Sequence, residues 1–289
     1  VTRAVILAAG LGTRMLPATK AVPKEMLPIV DKPLIQYAVE EAVAGGIAEV
    51  IFVVADGKEA IREHFSADGR VETTIGANGN SALAAAVRAP ASLATFHFVK
   101  QDEPRGIAHA VACAREFVEG EPFVLMFPDD IILADCSPVA QLIQAHQTCG
   151  GSVIAVEEVE RADIPQYGIC DPINDANPAR LRGIIEKPRA DEAPSNLGVV
   201  GRYILSATIF NYIDQLKPGK NGELQITDAF AAQIAAGEPV SAFRYEGTRY
   251  DTGRPLGLIT ANIAAALARP ELGAQAAARF EQALHGSKR

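Results

Sequence analysis

Five short runs in this chain, residues 4–9, 50–55, 96–99, 123–127 and 153–156, are apolar almost from end to end. A strand with one wet face alternates apolar and polar residues. These runs do not, so both faces of the sheet they form must be covered. Between them lie stretches with helical patterning at 33–44, 59–65, 107–118 and 139–147. The first opens at Asp31 and Pro33 and closes at Gly45-Gly46, which are helix start and stop signals. Strand–helix alternation of this kind dictates an α/β fold, a Rossmann-like doubly wound and mostly parallel sheet flanked by helices. Beyond about residue 160 the pattern loosens. Short β-like runs at 182–185, 199–205 and 240–245 and a helix-like run at 226–236 predict small β insertions into a mixed sheet. From about residue 256 the chain is Ala-rich and helical, broken at Pro270, and residues 67–94 show no clear period.

The first strand runs straight into Gly10 and Gly12, and a strand feeding a glycine-rich turn offers backbone N–H groups to phosphate. It is not a dinucleotide fingerprint, because Met15 stands where the third glycine belongs. No Walker A G-K-[ST] is present either. Pro17, Pro23 and Pro28 forbid a long helix starting at the loop, so no long helix dipole serves the anion. The loop must rely on backbone N–H groups and on Arg14, Lys20 and Lys24. Arginine suits forked contacts to phosphate oxygens and lysine a point charge on a phosphate chain. A solvated basic loop is the competing reading.

The net charge of -8 over 289 residues argues against a general nucleic-acid or membrane-surface binder. No apolar run approaches the roughly 20 residues that span a bilayer. The first strand is too short and glycine-interrupted for a signal peptide, so a cytoplasmic protein is expected. Cys113, Cys136, Cys149 and Cys170 form no CxxC pair and read as buried, reduced thiols.

Two further segments carry candidate chemistry. "PFVLMFPDDIIL" is an apolar strand ending in Asp129 and Asp130, and carboxylates at a strand's carboxyl end sit where α/β sheets bind ligands. Mg²⁺ takes one or two carboxylates plus substrate phosphates and water, although "PDD" is also a good turn. "VKQDEPRGIAHA" places Gln101 after another strand, and an amide can meet both a donor and an acceptor on a base edge. His109 lies one turn past Gly106 and suits either the nucleotide or helix packing. Taken alone, "EKP" is a turn beside a charged pair, and Asp251 in "RYDTGRP" could cap the helix after Pro255.

The stretch "GLGTRMLPATKAVPKEMLPIVDKPLIQY" resembles the signature of the sugar nucleotidyltransferases, G-x-G-T-R followed by P-K-x-x-L-P. "KEMLP" and "DKPLIQY" resemble its bacterial UTP–glucose-1-phosphate uridylyltransferase branch, and the resemblance spans residue 3 to about 258. It implies transfer of a uridylyl group from UTP to α-D-glucose 1-phosphate with loss of pyrophosphate. The nucleophile, a phosphomonoester with a second pKa of ~6, is already largely dianionic, so charge neutralisation and in-line placement matter more than a protein base. On this resemblance Mg²⁺ is held by Asp129 and Asp251, with Asp130 behind the metal or on the sugar side. Gln101 and Gly106 read the pyrimidine. The backbone of Ala8, Ala9 and Gly10 flanks the base and ribose. Gly12, Thr13, Arg14 and Lys24 take the triphosphate, Lys24 also stabilising the transition state. Glu25 lies near the nucleotide or orients Lys24 or Arg14. "QYGICDP", "GIIEKP" and "PSNLGVVGRYIL" resemble the sugar blocks. There Glu186 takes two sugar hydroxyls, Lys187 holds the 1-phosphate, and Gly168, Val199 and Gly201 offer their backbone.

The domains implied are a nucleotidyltransferase unit over 1–255, with a nucleotide half to about 135 and a sugar half after it, and a helical segment over 256–289. The family suggests a homodimer or homotetramer, with small-molecule substrates and neither nucleic acid nor membrane as partner. A thymidylyltransferase using dTTP shares these motifs. A non-catalytic regulatory paralogue is disfavoured, because Lys24, Asp129, Lys187 and Asp251 are all present.

Overall fold

The apolar runs become strands of one nine-stranded sheet, ordered β5 (Thr95–Lys100), β4 (Glu49–Val54), β1 (Arg3–Ala8), β6 (Phe123–Met126), β11 (Leu197–Leu205), β8 (Ser152–Glu158), β12 (Val240–Arg244), β10 (Ala179–Glu186) and β9 (Gly168–Pro172). The structure, a computed structural model, describes residues 1–67, 74–75, 81–219 and 222–286. Strands β1, β4, β5 and β6 are parallel neighbours. The later strands are β8, β9, β10, β11 and β12. Only β8 and β12 are parallel among these, and β11 runs antiparallel to both β6 and β8. The parallel reading thus holds for the first half, while the insertions make the second half mixed. Strand β9 escapes sequence reading because "GICDP" carries glycine, aspartate and proline.

Strand residues alternate between two cores. Val5, Ile51, Val53 and Leu125 face one side, where helices α4 (Ile107–Cys113), α7 (Ile209–Ile213) and α8 (Ile226–Ala235) contribute Val111, Phe210 and Phe230. Ala4, Ile6, Val50, Phe52, Val124 and Met126 face the other, against Ile35 and Val39 of α1 (Leu34–Ala44), Ile61 of α2 (Glu59–His64), and Leu142 of α6 (Pro138–Cys149). Each such fully buried aliphatic or aromatic side chain contributes about 1.5–3 kcal/mol. The 107–118 helix is in fact two: Ala114, at φ -89° and ψ 1°, separates α4 from α5 (Arg115–Val118). Of the pattern-less 67–94 stretch, Ser81–Arg88 forms α3, and residues 68–73 and 76–80 lie outside the described residues.

The prolines of the opening loop act as expected, leaving three single 3₁₀ turns at Thr13–Met15, Ala18–Lys20 and Lys24–Met26. A hairpin of β2 (Pro28–Ile29) and β3 (Lys32–Pro33) follows. A second small sheet pairs β7 (Asp130–Leu133) with β13 (Thr248–Asp251), so that Asp251 lies opposite Asp130. Helix α9 (Pro255–Ala268) presses Ala261 and Ala265 onto Ile29, Leu34 and Ile131, and Asn262 Oδ1 accepts the Val30 N–H at 2.8 Å. Helix α10 (Gly273–Gly286) packs on α9. No helix among the described residues is long and apolar enough to cross a membrane. All four cysteines are free, but only Cys170 is buried; Cys113 and Cys149 are half-buried and Cys136, in the loop before α6, is exposed. The expectation of buried thiols holds for Cys170 alone.

Candidate active site

The site is built on the turn between β6 and β7. The carbonyls of Phe127, Asp129 and Asp130 at this turn are held from within. Thr252 donates its N–H (2.8 Å) and its hydroxyl (2.7 Å) to Asp129 O. Arg202, fully buried, donates to Phe127 O at 2.8 Å and Asp130 O at 2.7 Å, and grips Glu41 of α1 through Nε at 2.8 Å and Nη2 at 2.7 Å. With the backbone turned inward, the Asp129 carboxylate is left for the cleft. It meets Lys24 Nζ at 2.6 Å. Asp251, at the end of β13, lies 3.9 Å from Arg14. A Cβ added at Gly253 would stand 2.9 Å from Asp129 Oδ2, 3.1 Å from Asp251 Oδ1 and 2.9 Å from an Arg14 nitrogen. Two carboxylates and a guanidinium from three separate segments therefore converge on one point that only glycine leaves open.

Burial alone would depress the Lys24 ammonium, but the Asp129 carboxylate beside it, and then Glu25, more than offset this and hold it above its usual value. Burial pushes the Asp129 carboxyl up, yet Lys24 prevails and keeps it ionised below the ordinary range. Asp130 goes the other way: burial outweighs the pull of Arg249 and raises it. Its Oδ2 accepts the Gly201 N–H (2.9 Å) and its Oδ1 accepts Arg249 Nε (2.7 Å). A Cβ on Gly201 would reach 2.6 Å from Asp130 Oδ2. Asp130 is thus tied to β11 and β13 at the wall of the cleft, where Arg249 also meets Glu157 at 2.6 Å.

The glycine-rich loop folds back over itself. Gly12, at φ +66°, accepts Thr19 Oγ at 2.8 Å and lies under the Lys24 side chain, as does Gly10. Ala8 is buried in the core, Ala9 half-buried, and Gly10 and Thr13 lie at the loop's start. Among the described residues Glu25 makes no hydrogen bond to Lys24 or Arg14. It is buried, and its Oε2 is taken by Lys58 at 2.7 Å, the same Lys58 that donates to Gly10 O at 2.8 Å. Burial, opposed by Lys58 and Lys24, raises the Glu25 carboxyl. Gln101 follows β5, buried, with its amide nitrogen 3.1 Å from His109 Nδ1 and 3.4 Å from Gly106 O. His109 is thus seated against the proposed base reader. Gly106 has a structural reason of its own: at φ +107°, a Cβ would meet Leu224 O at 2.5 Å.

The second-half residues line a cavity of about 200 Å³ with Arg14, Asp129 and Asp251. Glu186 Oε2 accepts Thr227 Oγ at 2.9 Å, and Gly168 is close enough that a Cβ would press both side chains. Lys187, at φ +46°, exposes its ammonium, which lies 3.5 Å from Glu186 Oε1. Val199 and Gly201 complete the wall. Asp130, Gly168, Glu186 and Lys187 therefore share one cavity with Asp129 and Asp251. Ala8, Ala9, Gly10, Gly12, Thr13, Glu25, Gln101 and Gly106 lie outside its lining, at the carboxyl ends of β1 and β5 and in the loop; of the loop, Arg14 lines the cavity and Lys24 meets its Asp129 wall. Sequence reasoning missed Lys58, Thr227, Arg249 and Arg202. Only Thr227, in "ELQITDA", and Arg249, in "RYD", sit in motif-like stretches; nothing local marks the other two.

Among the described residues no group of three or more His, Cys, Asp or Glu is clustered for a metal. Two convergent carboxylates suit a hard cation that takes its remaining oxygens from phosphates and water, so the donor set fits a divalent metal brought with a nucleotide.

A mixed sheet, parallel in its first half, with a glycine-rich cationic loop, paired carboxylates and a polar cavity of about 200 Å³ suits an enzyme that handles a nucleotide and a second small polar substrate. The sequence model described as "Nucleotidyl transferase" matches residues 3–266, and the chain belongs to that family. It is 42% identical over 273 residues to the UTP–glucose-1-phosphate uridylyltransferase of Bacillus subtilis, covering 94% of this chain and 93% of that one. It is 43% identical over 268 residues to a UTP–glucose-1-phosphate uridylyltransferase of Staphylococcus saprophyticus, covering 92% and 93%. Among solved structures it resembles a UDP-glucose pyrophosphorylase complexed with UDP-glucose, at 35% identity and TM-score 0.83 over 93% of this chain and 100% of that one. It also resembles the UTP-bound enzyme of Acinetobacter baumannii, at 34% identity and TM-score 0.87 over 98% of each.

Proposed function

We propose that this chain transfers the uridylyl group of UTP to α-D-glucose 1-phosphate, forming UDP-glucose and pyrophosphate. The observation that carries the reading is the convergence of Arg14, Lys24, Asp129 and Asp251 at one edge of a cavity whose other wall holds Glu186 and Lys187. The names of the relatives favour uridine over thymidine. Asp129 and Asp251 would hold Mg²⁺, which when bound would neutralise charge on the triphosphate and the developing pyrophosphate. The loop N–H groups, Arg14 and Lys24 seat the triphosphate, while Gln101 with Gly106 and the backbone of Ala8–Gly10 read base and ribose. Glu186, kept in place by Thr227, takes sugar hydroxyls, and Lys187 holds the 1-phosphate for in-line attack on the α-phosphorus. The attacking oxygen is already ionised, so no residue here need remove a proton.

The nucleotide half runs to about residue 135 and the sugar half to 255. The segment after it, with Leu256 and Ile259 exposed on α9, supports a homo-oligomer. The test is pyrophosphate release from UTP, glucose 1-phosphate and Mg²⁺, run beside dTTP. Release with UTP well above that with dTTP is expected; silence with both sinks the reading. Asp129→Asn should lower kcat by on the order of 10²-fold or more with the fold intact.

A further inference from the structure

We propose that Lys58 is the positioning residue of the triphosphate loop, a staple that fixes both of the loop's ends at once; this rests on the uridylyltransferase reading above. Strands β1 and β4 are parallel neighbours with Ala8 beside Val54, so the loops leaving their carboxyl ends run side by side. From the second of these loops Lys58 reaches into the first. Its Nζ donates to Gly10 O at 2.8 Å, at the loop's beginning, and to Glu25 Oε2 at 2.7 Å, at its end. The Lys58 side chain is only 7% exposed and that of Glu25 is 0% exposed. The other Glu25 oxygen is buried and finds no donor among the described residues, so Lys58 is the direct contact that keeps this carboxylate compensated.

Two consequences follow from the geometry. In a trans peptide the C=O and the next N–H point in opposite directions. Holding the Gly10 carbonyl on Lys58 turns the Leu11 N–H the other way. Gly12 O, taken by Thr19 Oγ and by the Met15 N–H, does the same for Thr13. N–H groups turned out of a loop in this manner are the donors of an anion nest. Lys24, meanwhile, is fixed from two sides. It follows directly from the anchoring of its neighbour Glu25, and its side chain crosses Gly10 and Gly12, whose added Cβ atoms would lie 3.8 Å from its Cε and 3.0 Å from its Cβ. Lys58 acts from beneath the loop, through Gly10 and Glu25, on groups that face the triphosphate.

The experiment compares wild type with Lys58→Arg, Lys58→Met and the double variant Lys58→Met/Glu25→Gln. It reads UTP affinity by calorimetry, KM for each substrate, Tm, and amide hydrogen exchange over residues 10–25 without ligand. Lys58→Met should weaken UTP binding and raise its KM tenfold or more, leave KM for glucose 1-phosphate within twofold, and speed exchange in the loop. Lys58→Arg, which keeps charge and donors, should recover most of the loss. The double variant removes the stranded buried carboxylate, so it should regain the Tm that Lys58→Met loses, yet bind UTP as weakly, since Gly10 O still has no donor. If UTP affinity returns together with Tm, or if Lys58→Met binds UTP as wild type does, Lys58 is a structural residue and the proposal falls. Loop exchange unchanged in Lys58→Met overturns it even in a protein that proves not to use UTP. Wild type that fails to bind UTP while exchange in the variant rises would instead overturn the substrate reading and spare the staple.

Discussion

At the scale of single residues, the site stores a competition. Lys24 Nζ sits 2.6 Å from the Asp129 oxygen that points to the open position at Gly253. An ammonium there occupies the electrostatic place of a metal. Removing it should let a cation bind without nucleotide: Lys24→Met is expected to bind Mn²⁺ several-fold more tightly than wild type in the absence of UTP, read by electron paramagnetic resonance, while kcat falls on the order of 10²-fold or more. Equal Mn²⁺ affinity in the two proteins would show that Lys24 does not contest the site. Gly106 offers a second residue-scale prediction. Its φ of +107° and the 2.5 Å from an added Cβ to Leu224 O forbid a side chain. Gly106→Ala should lose about 1–3 kcal/mol of stability in urea unfolding. Residues such as Lys24, Asp129 and Glu186 could be singled out from the sequence because they sit in contiguous motifs. Lys58 could not, because its meaning lies in two partners 48 and 33 positions away, and no local spacing encodes that.

At the scale of elements, the parallel strands were readable because burial on both faces leaves them apolar without interruption. Strands β7, β9 and β13 were not, since each is short and carries the polar residues that function and turns require. The pair Arg202–Glu41 links β11 to α1 behind the turn that carries Asp129. Arg202 is fully buried, and burial would lower its pKa were it not for Glu41 beside it, which holds the guanidinium charged. Breaking such a pair from one side strands a buried charge, at about 3–5 kcal/mol. Arg202→Met should therefore show that loss by thermal unfolding, and Arg202→Met/Glu41→Met should regain part of it. Activity should stay low in both, because the carbonyls of Phe127 and Asp130 lose their donor in either case and the Asp129 turn loosens. Full recovery of activity in the double variant would mean that Arg202 serves stability alone.

At the scale of the whole molecule, the two carboxylates of the site, Asp129 and Asp251, lie far apart in the sequence and meet only because β13 returns to pair with β7. That pairing has no sheet of its own beyond two strands, and an isolated two-stranded ribbon is marginal in water. Its backing is α9, whose Ala261 and Ala265 close over Ile29, Leu34 and Ile131 while Asn262 pins Val30 in the neighbouring hairpin. The C-terminal helices therefore play unequal parts. Helix α9 completes a small core beside β13, whereas α10 packs on α9 and, among the described residues, buries none of its side chains fully. A chain ending after residue 272 should keep a Tm within a few degrees of the full protein and should still release pyrophosphate. A chain ending after residue 254 exposes Ile29, Leu34 and Ile131 together, which at about 25 cal/mol per Å² of apolar surface amounts to several kcal/mol. It should melt markedly earlier and lose pyrophosphate release even where the nine-stranded sheet, followed by circular dichroism, persists. Loss of activity on removing residues 273–289 alone would place part of the working site in α10 or in an assembly that α10 makes.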